Sequence, residues 1–182
     1  PVITGLTSTM PSCNGLSNGT TTVVATGGQP AYTYAWSGPG SQTTATASAL
    51  PAGTYDVTVS DANHCSVTGT VIVTQPSPMS VIANPRDTIC IGQLSQIYGA
   101  GYGGTPPYSY VWTPSSIGTT AGPFAVTPTT TTSYNVAATD SHGCVSCNAI
   151  ATVFVNPQIA VTATDVSVCD GNSVPISAVA SG

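Results

Sequence analysis

The chain has 182 residues, of which 41 % are hydrophobic and only 4 % are charged, and Arg86 is its one Lys or Arg. A typical soluble domain has about 25 % charged residues. The lack of a basic patch excludes nucleic-acid binding through phosphate contacts, and no run reaches the ~20 apolar residues of a membrane-spanning helix. Short alternating β-branched runs exclude a disordered chain, so we expect a folded protein with a surface of Ser, Thr, Gly and Asn.

Predicted strands follow one another at intervals of about 8 to 12 residues, with Pro and Gly clustered between them. No window has a helical period, so the sequence predicts an all-β fold of antiparallel sandwiches. The predicted strands of the first half are Val2–Thr9, Thr20–Thr26, Ala31–Trp36, Gln42–Ser48, Gly53–Ser60 and Ser66–Thr74. Those of the second half are Met79–Asn84, Leu94–Ala100, Tyr108–Thr113, Pro123–Thr127, Ser133–Thr139 and Ala149–Val155.

The chain is a tandem repeat. Segment 27–36 (GGQPAYTYAW) returns as segment 103–112 (GGTPPYSYVW), and turn 61–65 (DANHC) returns as turn 140–144 (DSHGC). The repeat predicts three domains: residues 1–77, residues 78–156, and residues 157–182 as the start of a third domain that we expect to be cut short. The junctions at 74–78 and 155–157 are short and contain proline, so we expect the tandem domains to form a stiff linear rod.

Six cysteines, at matching positions in the repeats, indicate disulfides and an oxidising extracellular compartment. We expect Cys13 to pair with Cys65 and Cys90 to pair with Cys144, so that each bridge ties the two sheets of one sandwich or their ends. Closing the loop from Cys13 to Cys65 would contribute roughly 4 kcal/mol in the chain-entropy model. Cys169 is expected to pair with a cysteine beyond residue 182.

Cys147 is left over, and three partners stay open for it. It could replace Cys144 as the partner of Cys90, bond to Cys169 across the junction, or bridge to another chain. Zinc binding by the Cys-x-x-Cys of residues 144–147 is a rival interpretation, but no second ligand pair has a suitable spacing.

Other candidate sites for metal or catalysis are weaker. Calcium could use Asp61 with Asn63, but one carboxylate per turn binds weakly, and a turn-stabilising role for Asp61 and Asp140 is favoured. His64 and His142 belong to different domains and are expected to be solvated turn residues. We therefore predict no catalytic residue, no cofactor and no metal.

Each repeat has an aromatic strand whose large side chains alternate and so share one face. They could form a platform for sugar rings, or a sandwich core with the Trp buried and the Tyr hydroxyls at its margin; the core is favoured. The residues concerned are Tyr32, Tyr34 and Trp36 in the first repeat and Tyr108, Tyr110 and Trp112 in the second. Segment 50–55 (LPAGTY) resembles the tyrosine corner of immunoglobulin-like sandwiches, in which the tyrosine hydroxyl anchors a turn.

Two short motifs are candidate glycosylation sites. Asn18 begins an Asn-Gly-Thr sequon, although Asn-Gly is equally a hairpin turn. Thr88, in Asp87-Thr88-Ile89, resembles the Asp-Ser/Thr-aliphatic acceptor of O-glycosylation in the Bacteroidota. A plain edge-strand threonine is the alternative.

Five separated elements of the first repeat together resemble the SprB repeat of very large surface adhesins from gliding Bacteroidota. In order they are 13–15 (CNG), 27–36, Leu50-x-x-Gly53, Tyr55-x-Val57-x-Val59, and 61–65. Residues 78–156 resemble the PKD-like or immunoglobulin-like repeats that occur beside SprB repeats. The resemblance implies export by the type IX secretion system, a surface location, and a role in adhesion or gliding motility.

These features predict a non-enzymatic stalk or filament segment of a secreted, surface-exposed adhesin. The expected partners are surface glycans or other cell-surface proteins, with a homopolymer as a further candidate. Three alternatives stay open: a carbohydrate-binding module, an accessory region of a secreted enzyme, and a self-assembling extracellular fibre subunit.

Overall fold

A computed structural model of the chain describes residues 1–84, 86–163, 170, 175 and 177–181. The described residues form 15 β-strands, so the predicted all-β class is confirmed. No helix among them is both long and apolar enough to cross a membrane. The chain divides into two compact units. The first comprises Pro1–Val81, Gly101–Tyr110 and Ala137–Cys147, and the second comprises Ile82–Ala100, Val111–Val136 and Asn148–Gly182.

The first unit contains a β-sandwich made by the first repeat. Its strands are β1 (Val2–Thr9), β2 (Gly19–Thr26), β3 (Thr33–Trp36), β4 (Thr46–Leu50), β5 (Gly53–Ser60) and β6 (Ser66–Val73). They form two three-stranded sheets, ordered β1-β2-β4 and β3-β5-β6. All neighbouring strands in both sheets are antiparallel, and the predicted strand positions are confirmed to within a few residues.

The core of this sandwich takes side chains from both sheets because every second residue of a strand faces inward. Strand β5 shows the period most clearly: Tyr55, Val57 and Val59 are buried. From the other sheet come Val23 and Leu50. The alternation seen in the sequence therefore corresponds to a buried face of each sheet.

The strands after residue 78 form two further sheets and a hairpin. They are β7 (Ser80–Asn84), β8 (Arg86–Cys90), β9 (Ser95–Tyr102), β10 (Ser109–Thr113), β11 (Phe124–Val126), β12 (Thr132–Thr139), β13 (Ala149–Asn156), β14 (Ala160–Ala163) and β15 (Ala178–Ser181). The sheet orders are β11-β9-β7 and β10-β12-β13-β8, and β14 pairs with β15. Within the second unit Trp112 is buried and contacts Phe124 edge to face, with ring centroids 5.9 Å apart.

Strand β8 was not predicted. It pairs in parallel with β13, and Cys90 lies opposite Asn156 in the pairing. Its sequence includes Arg86 and Asp87, and of its side chains only Ile89 is buried. A strand with one inward apolar residue gives no alternating signal, so only tertiary pairing reveals it. The domain boundaries 1–77, 78–156 and 157–182 rest on the repeat and remain predictions.

Candidate functional site

The described disulfide of this chain joins the two repeats. Cys13 is bonded to Cys144, with a Cα–Cα distance of 5.7 Å and a sequence separation of 131 residues. Cys65, Cys90 and Cys147 are free and exposed. The predicted pairings Cys13–Cys65 and Cys90–Cys144 are therefore wrong.

The geometry of the first sandwich explains the correction. Cys13 lies in the loop before β2. This loop is held beside the end of β6, since Gly15 N–H donates a hydrogen bond to the side chain of Gln75 (2.9 Å), which follows β6 in the chain. Cys65 immediately precedes the first residue of the eight-residue strand β6. Cys13 and Cys65 therefore lie at opposite ends of β6, and at about 3.3 Å per residue these ends are about 23 Å apart. A disulfide needs Cα atoms within about 7 Å of each other.

The same reason applies to the second predicted bridge. Cys90 pairs in register with Asn156, the last residue of β13, whereas Cys144 precedes that strand in the chain. Cys147 is free within this chain, so it does not replace Cys144 as the partner of Cys90, and its bridge to another chain remains a prediction. Cys169 lies outside the described residues.

Cys13 is presented by a tight turn. The N–H of Leu16 donates to the carbonyl of Cys13 (3.2 Å), and Gly15 between them has φ of +78°. That φ is accessible to glycine at little cost, which explains the Cys-Asn-Gly sequence. Asn18 closes the loop behind the turn, because its side chain accepts from Ser12 N–H (3.0 Å) and donates to the Ser12 hydroxyl (2.9 Å).

The linker between the repeats is held on both sides by hydrogen bonds. The side-chain amide of Asn14 donates to the carbonyl of Pro76 (3.0 Å). From the second repeat, Gly104 N–H donates to the carbonyl of Ser77 (2.9 Å). We call the whole arrangement the bridged junction, and define it as residues 12–16, 74–78, 103–105 and 140–144; all of it lies in the first unit.

Cys144 is carried by a turn that is organised around Asp140. The Asp140 carboxylate is almost fully buried and accepts N–H groups from Thr105 (2.8 Å), His142 (2.9 Å) and Cys144 (2.9 Å). Loss of water around the carboxylate acts to raise its pKa, but these hydrogen bonds outweigh it and the pKa of Asp140 is lowered. The group therefore stays ionised and fixes the turn.

The first repeat has the same turn with the same bonds. Asp61 accepts N–H groups from Gln29 (3.1 Å), Asn63 (3.0 Å) and Cys65 (3.0 Å). The Gln29 bond is the largest cause of a lowered pKa of Asp61, against an opposing effect of burial. The predicted turn-stabilising role of Asp61 and Asp140 is confirmed.

The second glycine of each Gly-Gly pair is explained by these carboxylates. Gly28 and Gly104 have φ of +70° and +58°, and a Cβ on either would overlap the carboxylate of Asp61 or Asp140. A Cβ on Gly103 would overlap the carbonyl of Pro78. Glycine is required here for both backbone conformation and close approach.

The aromatic strands belong to the cores. Trp36 is 5 % exposed and Trp112 is 1 % exposed, and their indole N–H groups donate to the carbonyls of Thr44 and Thr120 (both 2.9 Å). Buried indoles have no face for a sugar ring, so the platform interpretation is wrong for Trp36 and Trp112.

The tyrosines of the aromatic strands lie at the margin of the cores, as the core interpretation predicts. The hydroxyl of Tyr32 donates to Gly27 and that of Tyr108 donates to Gly103, through the loops that face the Asp turns. The Tyr110 hydroxyl accepts from Gly101 N–H (3.1 Å), and Tyr34 is half-buried. The predicted tyrosine corner is confirmed in the first repeat, where the Tyr55 hydroxyl donates to the carbonyl of Pro51 (2.9 Å).

The candidate modification sites are both on the surface. Asn18 and Thr88 are exposed, and glycosylation of either remains a prediction. In the described part of the chain, no three side chains among His, Cys, Asp and Glu are grouped as metal ligands would be.

Sequence reasoning missed the residues that hold the linker. Gln75 lies in no motif and Asn14 lies in the Cys-Asn-Gly motif, but the role of each in the junction depends on which end of the sandwich the Cys13 loop occupies. The usable signal was the position of Gln75 beside the repeat boundary, since residues that flank a linker are candidates for a junction.

The family model described as SprB repeat matches residues 5–41, which confirms the resemblance for that part of the chain. No curated protein matched.

Three solved structures are similar at low identity. The fibronectin(III)-like modules of Clostridium thermocellum CbhA are 11 % identical with a TM-score of 0.35, covering 84 % of this chain and 95 % of that one. DIP-gamma IG1+IG2 is 10 % identical with a TM-score of 0.39, covering 85 % and 96 %. The N-terminal eight Ig domains of DSCAM isoform 1.30.30 are 13 % identical with a TM-score of 0.34, covering 86 % and 26 %.

The sheets, the family match and the disulfide together define the class of protein. The chain is an all-β protein with a tandem repeat in its sequence, and residues 5–41 of its first repeat match the SprB repeat. A disulfide of this kind persists in an oxidising extracellular environment.

Proposed function

We propose that this chain is a structural segment of a secreted, surface-exposed bacterial adhesin, that it catalyses no reaction, and that it transmits force through tandem domains arranged as a linear rod. The role in adhesion or gliding, and export by the type IX secretion system, come from the resemblance of the first repeat to SprB repeats. The bridged junction is the single observation that carries the mechanical part of the proposal.

The covalent connection of the junction determines where a load travels. A force applied to the two ends of the chain reaches Cys13 from one side and Cys144 from the other, and passes between them through the sulfur–sulfur bond. The segment between Cys13 and Cys144, which are 131 positions apart, therefore carries no load while the bond is intact. Most of the core of the first sandwich lies inside this protected segment, including Trp36, Val57 and Val73.

The surface composition supports the same role. With one cation, six Asp and no Lys or Glu, the chain offers few tryptic sites and few interactions that salt can screen. The two turn carboxylates, Asp61 and Asp140, hold backbone structure, and each accepts three backbone N–H groups. Such a segment keeps its structure across the range of ionic strength that a cell surface meets.

The experiment uses the full-length protein in the cells that produce it. Replacing Cys13 by Ser opens the bridged junction, and we expect surface-attached cells to detach at a lower shear stress than wild-type cells. Cys147→Ser is the matched control because it removes a free, exposed thiol. Antibody labelling measures the amount of protein displayed; equal display with unchanged detachment would contradict the proposal.

Among the alternatives, a carbohydrate-binding module loses its principal support because the two Trp residues are buried. A glycan array with Trp36→Ala tests it directly: a core Trp gives an unfolded domain, and a platform Trp leaves a folded domain that no longer binds. An accessory region of a secreted enzyme and a self-assembling fibre subunit remain predictions, as do surface glycans, cell-surface proteins or further copies of the chain as partners.

A further inference from the structure

Cys65 and Cys90 occupy the places in their repeats that the bonded cysteines occupy at the bridged junction. Cys90 is the counterpart of Cys13, and Cys65 is the counterpart of Cys144. Both are free and exposed in a chain whose equivalent pair is bonded. The contacts around Cys90 and Cys65, compared with those around Cys13 and Cys144, indicate which partner each free thiol can bond to.

The Cys90 loop reproduces the Cys13 loop. Gln93 N–H donates to the carbonyl of Cys90 (3.0 Å), and Gly92 has φ of +81°, matching the bond of Leu16 to Cys13 and the φ of Gly15. Pairing of Cys90 with Asn156 sets the loop beside the start of the linker at Pro157. The Cys13 loop likewise lies beside its own linker, through the bond to Gln75.

The Cys65 turn reproduces the Cys144 turn. Asp61 N–H donates to the carbonyl of Cys65, and Asp140 N–H donates to that of Cys144, both at 3.0 Å. His64 has φ of +65° where Gly143 has +82°. In each turn the Asp carboxylate accepts the N–H of the cysteine.

A second observation at Cys90 points to the same partner. A cleft of about 520 Å³ opens beside it, lined by Cys90, Ile91, Asn156, Pro157, Gln158 and Ile159. The equivalent cleft at Cys13 has a volume of about 400 Å³. The first repeat and the linker contribute one side of it, and the Cys144 turn closes the other. Its lining residues are Cys13, Asn14, Leu16, Pro78 and Met79, together with Gly143, Cys144 and Val145 of the turn. Ile91 and Ile159 are 43 % and 70 % exposed. Apolar side chains left open beside a free thiol fit a turn with an exposed apolar tip such as Val145.

We propose that Cys90 forms a disulfide with the Asp-x-x-x-Cys turn of the repeat that the linker at Pro157 leads into. Cys65, in the equivalent turn, has the mirror role toward the Cys-x-Gly loop of another repeat. A junction of this kind then carries one covalent bridge between successive repeats. The bond forms when the two thiols lose two protons and two electrons to a disulfide oxidant, which is reduced to two thiols.

The test is an extended form of the full chain, in which a second copy of residues 78–156 is inserted between Asn156 and Pro157. The native Asn-Pro linker sequence is kept, and the copy brings its own Cys144 opposite Cys90. After refolding with oxidised glutathione as the oxidant, thiols are alkylated without reduction and the protein is mapped by mass spectrometry. We expect two fewer labelled thiols than if only Cys13–Cys144 forms, and a linked peptide that joins Cys90 to the copy's Cys144.

Cys90→Ser in the extended chain is the matched control, and it should leave the copy's Cys144 labelled while Cys13–Cys144 stays bonded. Labelled Cys90 beside an intact Cys13–Cys144 bond would overturn the proposal. So would a bond from Cys90 to Cys147 of the copy, or to another molecule, seen as a covalent dimer on a non-reducing gel. If the extended chain does not fold, the natural protein digested with an Asp-specific protease decides: Cys90 must be linked to an Asp-x-x-x-Cys peptide, and a free Cys90 refutes the inference. The inference does not depend on the adhesive role.

Discussion

Opening the bridged junction should change how far the chain extends under force. The perturbation is Cys13→Ser, which removes one partner of the Cys13–Cys144 bond and leaves every hydrophobic core residue in place. In the wild-type chain only the residues before Cys13 and after Cys144 can be pulled straight. In the variant the whole chain can extend once its domains unfold.

The size of the effect follows from the sequence separation of 131 residues between the bonded cysteines. A fully extended chain spans at most about 3.6 Å per residue, so the variant gains about 47 nm of contour length over the wild type. The bonded chain has 12 residues before Cys13 and 38 after Cys144, which extend to only about 18 nm. The two forms therefore differ by more than a factor of three.

The measurement is single-molecule stretching with handles at residues 1 and 182. We expect the oxidised wild type to give the short contour length, and both Cys13→Ser and the wild type in reductant to give the long one. Cys147→Ser must behave as the oxidised wild type. An oxidised wild-type molecule that extends as far as the Cys13→Ser variant would refute the connectivity and the force path derived from it.

Four other results are expected. Reduction should lower the stability by about 5 kcal/mol for so long a loop and the melting temperature by about 10–20 °C, measured by calorimetry; an unchanged melt would contradict the bond. Tyr55→Phe should cost about 1 kcal/mol in urea unfolding, because the carbonyl of Pro51 loses its donor. Gly28→Ala should destabilise more than Gly27→Ala, since both have positive φ but only Gly28 meets a carboxylate; equal losses would show that the contact is unimportant. Because the folded pKa of Asp61 lies below its ordinary 3.8, its stabilisation is complete above about pH 4 and is lost as the pH falls through the folded value; acid unfolding of Asp61→Asn should therefore depend less on pH than that of the wild type.

Much of the fold was predictable from local patterns. The alternation of β5, in which Tyr55, Val57 and Val59 face inward, is a period-2 signal that burial on one face enforces. The tyrosine corner and the Asp turns were also predictable, because their hydrogen bonds join residues close in sequence. The Gly-Gly pairs were visible as turns, but the carboxylates that require Gly28 and Gly104 came only with the structure.

The partners in the disulfide were beyond the sequence. Four cysteines at equivalent positions allow three connectivities, and the spacing of Cys13 and Cys65 in one repeat favoured the wrong one. The strand β6 separates those two by its whole length, and the linker that follows it leads into the repeat that carries Cys144. Strand β8 was beyond reach for a related reason, since its pairing partner β13 is distant in the chain.

The amino-acid sequence by itself determined most of the strands, the inward Trp residues and the turns, because each depends on neighbours within a few residues or on the alternation of one segment. The tertiary structure alone decided which ends of the sandwiches meet, and with them which thiols come within bonding distance. That decision depends on contacts between residues far apart in the chain, from the 60 positions between Gly15 and Gln75 to the 131 between Cys13 and Cys144, and no local pattern encodes them.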